Sequence, residues 1–360
     1  MPGGLEFTTS TTLQAPDLLH RLKSRARELG FAFCGITTAD PPPHVAKYES
    51  WLEAGYHGEM NYLATDRARQ RRAGPKLILP DCKSILVTAL PYPPGNTTGP
   101  IAAYAVGDDD YHDVIPWRLR DLIEWLEAEV GHSIAHKIYT DTGPLLEREL
   151  AQRAGLGWIG KNTMLINPKA GSYFLLGEVL LDLDLPPDEP FIADHCGTCT
   201  RCIEACPTGA ILENRALDSR LCISYLTIEL KGSIPEDLRD SMGGWIFGCD
   251  ICQAVCPWNV RFADSVNPDP ALAPRHPPPD LRAELTLTPE QFNARFKSSP
   301  ITRAKRRGYL RNVAAALGNG GDPDDIPALE SCLERESDPL VREHVAWALG
   351  KLEKKRPFGG

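Results

Sequence analysis

His195-Cys196-Gly-Thr-Cys199-Thr-Arg-Cys202-Ile-Glu-Ala-Cys206-Pro207 is the stretch that decides how this chain is organised. Its cysteines are spaced x2, x2, x3 and closed by proline. In such a run the first three sulfurs hold one 4Fe-4S cluster and the fourth passes to a neighbouring cluster. A second run supplies that neighbour: Cys222, followed by Cys249-x2-Cys252-x3-Cys256-Pro257. The pattern assigns Cys196, Cys199, Cys202 and Cys256 to one cluster, and Cys206, Cys222, Cys249 and Cys252 to the other. Between Cys222 and Cys249 lie 26 residues, more than a small ferredoxin uses, and a helical insertion over 226–245 is expected to fill the gap. Zinc and disulfides are the rival readings. A zinc knuckle uses one cysteine fewer per run, and disulfides need an oxidising compartment, for which no secretory signal speaks.

With 360 residues the chain can form two or three domains, each with a core of its own. Met1 to Gln14 shows no basic and apolar leader and no twin-arginine pair. No apolar run approaches the roughly 20 residues that span a bilayer. A cytoplasmic monomer without membrane contact is expected. The remaining cysteines, Cys34, Cys82 and Cys332, sit in apolar or helical stretches and are expected to be inert buried thiols.

A net charge of −9 argues against a general nucleic-acid coat, but the charge is uneven. From Gln291 to Gly321 there are seven basic residues and no acidic one: Arg295, Lys297, Arg303, Lys305, Arg306, Arg307 and Arg311. Such a patch is either a solvated helix face or a site for phosphate contact. Four of these lie at helical offsets of 0, 3, 4 and 8 from Arg303. Most of one face is therefore guanidinium, suited to bidentate phosphate binding.

Upstream of the cysteines, helical and apolar strand patterns alternate. A helix capped by Asp17 runs to Gly30 and the strand 31–36 follows it. Further strands are expected at 84–90, 134–139 and 173–185, with helices at 117–130 and 145–154. This reads as an α/β domain over 1–190, then a ferredoxin-like two-cluster domain over 191–260 and a proline-rich connector over 261–283. The tail, 284–360, repeats itself: Val313-Ala-Ala-Ala-Leu-Gly318 returns as Val345-Ala-Trp-Ala-Leu-Gly350, an offset of 32 residues that suggests HEAT-like helix pairs.

Two clusters beside a separate α/β domain imply wiring to a second redox centre. No Gly-x-Gly-x-x-Gly follows a strand, so a Rossmann site has no support. Asp110-Tyr-His112-Asp-Val-Ile115 nearly matches the Asp-x-His-x-x-Gly of corrinoid proteins but lacks its glycine.

At this point the chain resembles the epoxyqueuosine reductases of the queuosine tRNA-modification pathway. The likeness is carried by Gly55-Tyr-His-Gly-Glu-Met60, Arg72-x2-Pro75, Pro91-Tyr92, Asp110-Tyr-His112, Asp141-Thr-Gly143, Glu147-Arg148, Arg153-Ala-Gly-Leu-Gly157, Gly160-Lys-Asn162, Gly171-Ser-Tyr173, the eight cysteines and the basic helix. It implies a cobalamin bound in the N-terminal domain without a protein histidine on cobalt, two 4Fe-4S clusters fed by a low-potential electron donor, and reduction of epoxyqueuosine in tRNA to queuosine with release of water. Asp141, which alone would read as a helix cap, is implied as the proton donor, with a pKa raised by burial beside the corrin. Asp110 and His112 are implied as active-site support. Arg72, Ala103, Asp141, Asn162, Leu165 and Leu176 fall at cobalamin-lining positions, although family members often carry arginine where Ala103 stands here. Arg303, Lys305, Arg306, Arg307 and Arg311 are implied as tRNA contacts. A cobalamin-dependent reductive dehalogenase, or a non-catalytic electron-transfer module, are the alternatives.

Overall fold

The computed structural model describes residues 15–274 and 277–354; the stretch Met1–Gln14, read above for a leader, lies outside them. Strand β2 (Ser84–Pro91) organises the N-terminal region, and all eight of its residues are buried. A strand covered on both faces must be apolar throughout, which is why its text does not alternate. Ile85, Val87 and Ala89 join one core with Leu150, Ala151 and Leu180. Leu86 and Leu90 join the other, with Leu22, Ala26, Ile115, Leu119, Leu122 and Val179.

The sheet has the order β1 (Phe33–Thr38), β2, β6 (Phe174–Leu181), β3 (His136–Tyr139). Every pairing is antiparallel. Alternation of helices and strands therefore produces an antiparallel sheet covered by helices, because neighbours in the sheet run in opposite directions whatever lies between them. Helices Ala15–Glu28 and Tyr111–Val130 cover one face, and Glu147–Arg153 covers the other. Gly177 lets the long helix lie close, since a Cβ there would stand 2.6 Å from Ile115 Cγ2. A two-stranded ribbon, β4 (Trp158–Ile159) with β5 (Leu165–Ile166), leads toward the cysteines.

Short helices carry the cysteine runs, with Arg201–Ala205 and Ile251–Ala254 in contact. The gap after Cys222 holds helix Ile223–Ile228 and a single turn, Glu236–Arg239, rather than one continuous insertion. The connector folds back onto the N-terminal region. Asp269 takes both terminal nitrogens of Arg118, and Leu272 enters the core beneath the long helix.

Helices Lys305–Gly320, Ile326–Arg335 and Pro339–Glu353 close the chain. The two that carry the repeated text pack directly on each other, with Gly318 against Ala348 and Trp347. Their core takes in Ala105, Ile246 and Phe247, so the C-terminal helices are fused to the rest of the protein. Among the described residues no helix is long and apolar enough to cross a membrane.

Candidate active site and cluster ligands

Asp141 follows β3 in a left-handed conformation, φ 55°, which costs a non-glycine residue roughly 1–3 kcal/mol unless its surroundings enforce it. They do so from both sides. Thr140 Oγ1 donates to the Leu176 carbonyl at 2.7 Å. Buried Arg72 donates from Nη2 to the Gly143 carbonyl at 3.3 Å, while its guanidinium lies over the Tyr48 ring.

Asp110 caps the long helix, its Oδ1 accepting the His112 backbone N–H at 2.9 Å and facing His112 Nδ1 at 2.7 Å. The other ring nitrogen, Nε2, stands 3.4 Å from Asp141 Oδ2. Desolvation alone would lower the His112 pKa, but hydrogen bonds to Asp110 and Asp141, and their charges, raise it to about 9. For Asp141 desolvation pushes upward, yet the His112 hydrogen bond and charge, the Tyr111 hydroxyl and Arg303 hold the carboxyl below its ordinary value. Its side chain is 64 % exposed, so water screens part of that pull. The Asp141 carboxyl thus lies low beside charged His112, whereas the rise expected above belongs to burial beside a corrin. An imidazolium beside the carboxylate outweighs desolvation, and the proton resides on His112.

The same place is reached from two further regions. Arg303, from the basic stretch, makes a bidentate pair with Glu229 at 2.8 and 3.1 Å and lies over the half-exposed Tyr62 ring. Its charge is felt at Asp141. Tyr104 is pushed upward by burial, then by the charges of Asp141, Asp250 and Glu229. Tyr62 and Tyr104, which feel the Asp141 charge, and Glu229, which pairs with Arg303, were not foreseen in the sequence, since each comes from a segment well separated from Asp141.

The expected cobalamin positions are spread around this centre. Arg72 touches the Asp141 loop. Buried Asn162 reaches the Cys252 carbonyl at 3.4 Å and accepts the Met164 N–H. Leu165 is buried and Leu176 partly so, in the core beside β2. The Ala103 N–H donates to Asp250 Oδ2 at 2.7 Å, next to Cys249.

The cysteines of each assigned set lie within electrostatic reach of one another. Cys202 feels Cys196, Cys256 and Cys199, and these four line a cavity of about 180 Å³ with Lys161, Asn162 and Trp258. Cys249 feels Cys222 and Cys206, and Cys252 feels Cys222 and Cys249 together with Cys202 of the other set. Lys161 Nζ donates to the Gly197 and Cys199 carbonyls at 2.8 and 3.0 Å, placing a positive charge where thiolates would gather. Burial pushes the Cys249 thiol up to about 12, so ionised sulfur there needs a cation to hold it. Outside the runs, Cys82 and Cys332 are buried, and burial raises both, as it raises Cys34 to about 12.

The basic stretch differs most from expectation. Arg311 is fully buried. Its guanidinium donates to the carbonyls of Leu226, Leu230 and Gly232 and to Asn312 Oδ1, tying down the segment between Cys222 and Cys249. It has no surface from which to meet a phosphate, so its assignment to tRNA contact is corrected. Arg306 is held by Glu336 and the Leu287 carbonyl, and Arg307 by Asp338 at 3.3 Å. Lys305 and Lys297 are exposed, with no carboxylate partner among the described residues.

Comparison with known proteins agrees with this layout. The 4Fe-4S double cluster binding domain family matches residues 195–259, and the epoxyqueuosine reductase QueG family matches residues 72–142. Epoxyqueuosine reductase of Pseudomonas aeruginosa is 44 % identical over 354 residues, covering 94 % of this chain and 96 % of that one. The Escherichia coli enzyme is 39 % identical over 360 residues, covering 96 % and 93 %. A crystal structure of epoxyqueuosine reductase with an epoxyqueuosine-modified tRNA-Tyr stem loop superposes with a TM-score of 0.79 at 30 % identity, covering 94 % of this chain and all of that one. The Bacillus subtilis enzyme, with its catalytic aspartate loop swung out of the active site, gives 0.83 at 32 % identity, covering 94 % and 91 %. Related along nearly its whole length to these enzymes, the chain belongs to the epoxyqueuosine reductase family.

Proposed function

We infer that this protein reduces the epoxide of epoxyqueuosine in tRNA to the alkene of queuosine, releasing water. The reaction consumes two electrons and two protons per epoxide. Supporting this reading, above all, is the His112–Asp141 pair at the junction of the sheet domain, the cysteine region and the C-terminal helices. Relatedness along the whole chain favours it over a dehalogenase or a bare electron carrier.

The two cysteine sets would hold the clusters as assigned, and their mutual approach at Cys202 and Cys252 supplies a short electron path. The residues present also fit a cobalamin. Arg72 and Asn162 are polar groups bonded at one end to the Asp141 loop and at the other to the cysteine region. Partly exposed Leu176 offers apolar surface, backed by buried Leu165 in the same core. When bound, a corrin cobalt would supply the centre through which cluster electrons reach the carbon–oxygen bond.

The protein's own part is the proton. His112 keeps its proton to about pH 9, Asp110 fixes the ring through Nδ1, and Nε2 faces the Asp141 carboxylate. Asp141 therefore delivers a proton resupplied by His112 to the oxygen leaving carbon, a transfer contributing roughly 10²–10⁴-fold. The C-terminal helices, read as a HEAT-like module, would bring the tRNA with Lys305 and the outer arginines on the approach. The test is mass spectrometry of nucleosides from epoxyqueuosine-containing tRNA incubated with the protein, cobalamin and a low-potential reductant. Queuosine is expected, and its absence with both clusters intact would overturn the reading.

A further inference from the structure

Along β6 the side chains alternate between the two cores, with Val179 and Leu181 on one side and Phe174, Leu176 and Leu180 on the other. Glu178 belongs by this period to the second set, where an apolar residue would ordinarily stand. It is fully buried. It lies opposite Tyr139 in β3 and Val87 in β2, and neither of its carboxyl oxygens has a hydrogen-bond donor. Glu147, at the start of the helix Glu147–Arg153 that covers this face, approaches it side chain to side chain, and Glu147 Oε1 is also buried without a donor.

Two carboxylates cannot face each other in an apolar core with three oxygens unpartnered, because each unpaired buried charge costs several kcal/mol. One proton between them removes the repulsion and supplies the missing donor. The charged groups around the pair are Asp141, which repels a second negative charge, and Arg148, whose guanidinium donates instead to the Thr163 carbonyl at 2.6 Å. The backbone N–H of Asp141 stabilises the ionised form of Glu147.

We propose that Glu147 and Glu178 form a carboxyl pair holding a single proton, with Glu178 keeping that proton and Glu147 anchoring the Asp141 loop through its main chain. Both are positioning residues for the reaction, and that part of the proposal rests on the function inferred above. In line with the geometry, burial raises Glu147 to about 7 and Glu178 well above its ordinary value. Nothing in the sequence beyond an acid within an apolar strand run pointed to the pair.

Three measurements on the cluster-loaded protein test it. Infrared spectra at neutral pH should show the carbonyl stretch of a protonated carboxyl, lost in Glu178→Gln. Absence of the band in the parent, or its survival in the variant, overturns the shared proton. Because the folded pair holds its proton above the ordinary glutamate pKa, stability should fall as pH rises from about 4.3 through neutrality, and Glu178→Gln should flatten that fall. An unchanged slope counts against the pair. For positioning, Glu147→Ala should speed hydrogen exchange over residues 140–143 and lower kcat about tenfold or more with KM little changed. Unaltered exchange in Glu147→Ala overturns the anchoring. The spectra, stability and exchange remain readable even if the protein turned over no epoxide, so failure of the pair and failure of the inferred reaction are told apart.

Discussion

The cysteine runs and the basic helix are both dense stretches of one chemistry, yet they behave oppositely on folding. The cysteines stay within electrostatic reach of one another, most strongly within the runs themselves. The basic residues scatter to partners outside their own stretch: Arg303 to Glu229, Arg295 to Glu284, Arg306 to Glu336, Arg307 to Asp338 and Arg311 to three backbone carbonyls. A ligand run carries its own geometry, because a cluster fixes the separations of its sulfurs. A charge run does not, since carboxylates distant in sequence can neutralise it. A local count without an acid in 31 residues said nothing of the acids that fold against it.

The largest expected effect breaks the cysteine side of this contrast. Cys256→Ala removes a sulfur that the second run contributes beside Cys196 and Cys199. If it crosses as assigned, iron and labile sulfide should drop for the set built on Cys196, Cys199 and Cys202, and turnover should vanish with the electron path. Full iron content in the variant would show that Cys256 is no ligand.

Next in size is the proton. Asp141→Asn keeps the shape of the loop but cannot pass a proton, so kcat should fall by about 10²–10⁴-fold with the cluster spectrum unchanged. A parent rate would make His112 or water the immediate donor. The pH profile sharpens the same point. His112, raised to about 9, stays charged through neutrality, so kcat/KM should decline as pH rises through about 9, and His112→Asn should abolish that alkaline limb. The linkage has the same sign: the stability that charged His112 confers is complete below about pH 6.5 and is lost as pH climbs through the folded value.

How legible each part was follows from how local its cause is. The strand over 84–90 and the helix over 117–130 were readable because apolar period and run length are properties of the segment itself, whereas the helix's first turns, Tyr111 to Pro116, were not, because proline reads as a boundary. The antiparallel order of the sheet was not, since pairing joins residues about ninety apart, as in Thr88 with Gly177. Asp141 was singled out through the family likeness, but its contact with His112 was not legible, because that depends on His112 arriving from a different element. Glu178 was passed over as one polar letter in a strand.

Arg311 offers a middle-sized test of the scattered arginines. Arg311→Met leaves the carbonyls of Leu226, Leu230 and Gly232 without their charged donor, which should cost about 3 kcal/mol or more. The loss should appear as a lower Tm and as readier loss of the cluster assigned to Cys222 and Cys249, which flank the segment it ties down. The salt dependence of tRNA binding should stay as in the parent for whatever protein remains folded. A shallower slope would put Arg311 back at the phosphate surface.

The smallest effect decides what remains of the basic patch. Lys297 and Lys305 are exposed and lack a carboxylate partner among the described residues, so unlike the arginines they lose no internal pair on meeting phosphate. Replacing both by glutamine should leave Tm and iron content unchanged and weaken tRNA binding. The slope of log affinity against log salt should become shallower by roughly one to one and a half units on the single-strand coefficient. Arg306→Gln should do the reverse, lowering stability by breaking the Glu336 pair with little change in slope. If the lysine variant keeps the parent slope while Arg306→Gln loses it, the arginines leave their carboxylates to grip the tRNA, and the ion pairs seen across the C-terminal helices belong to the free protein alone.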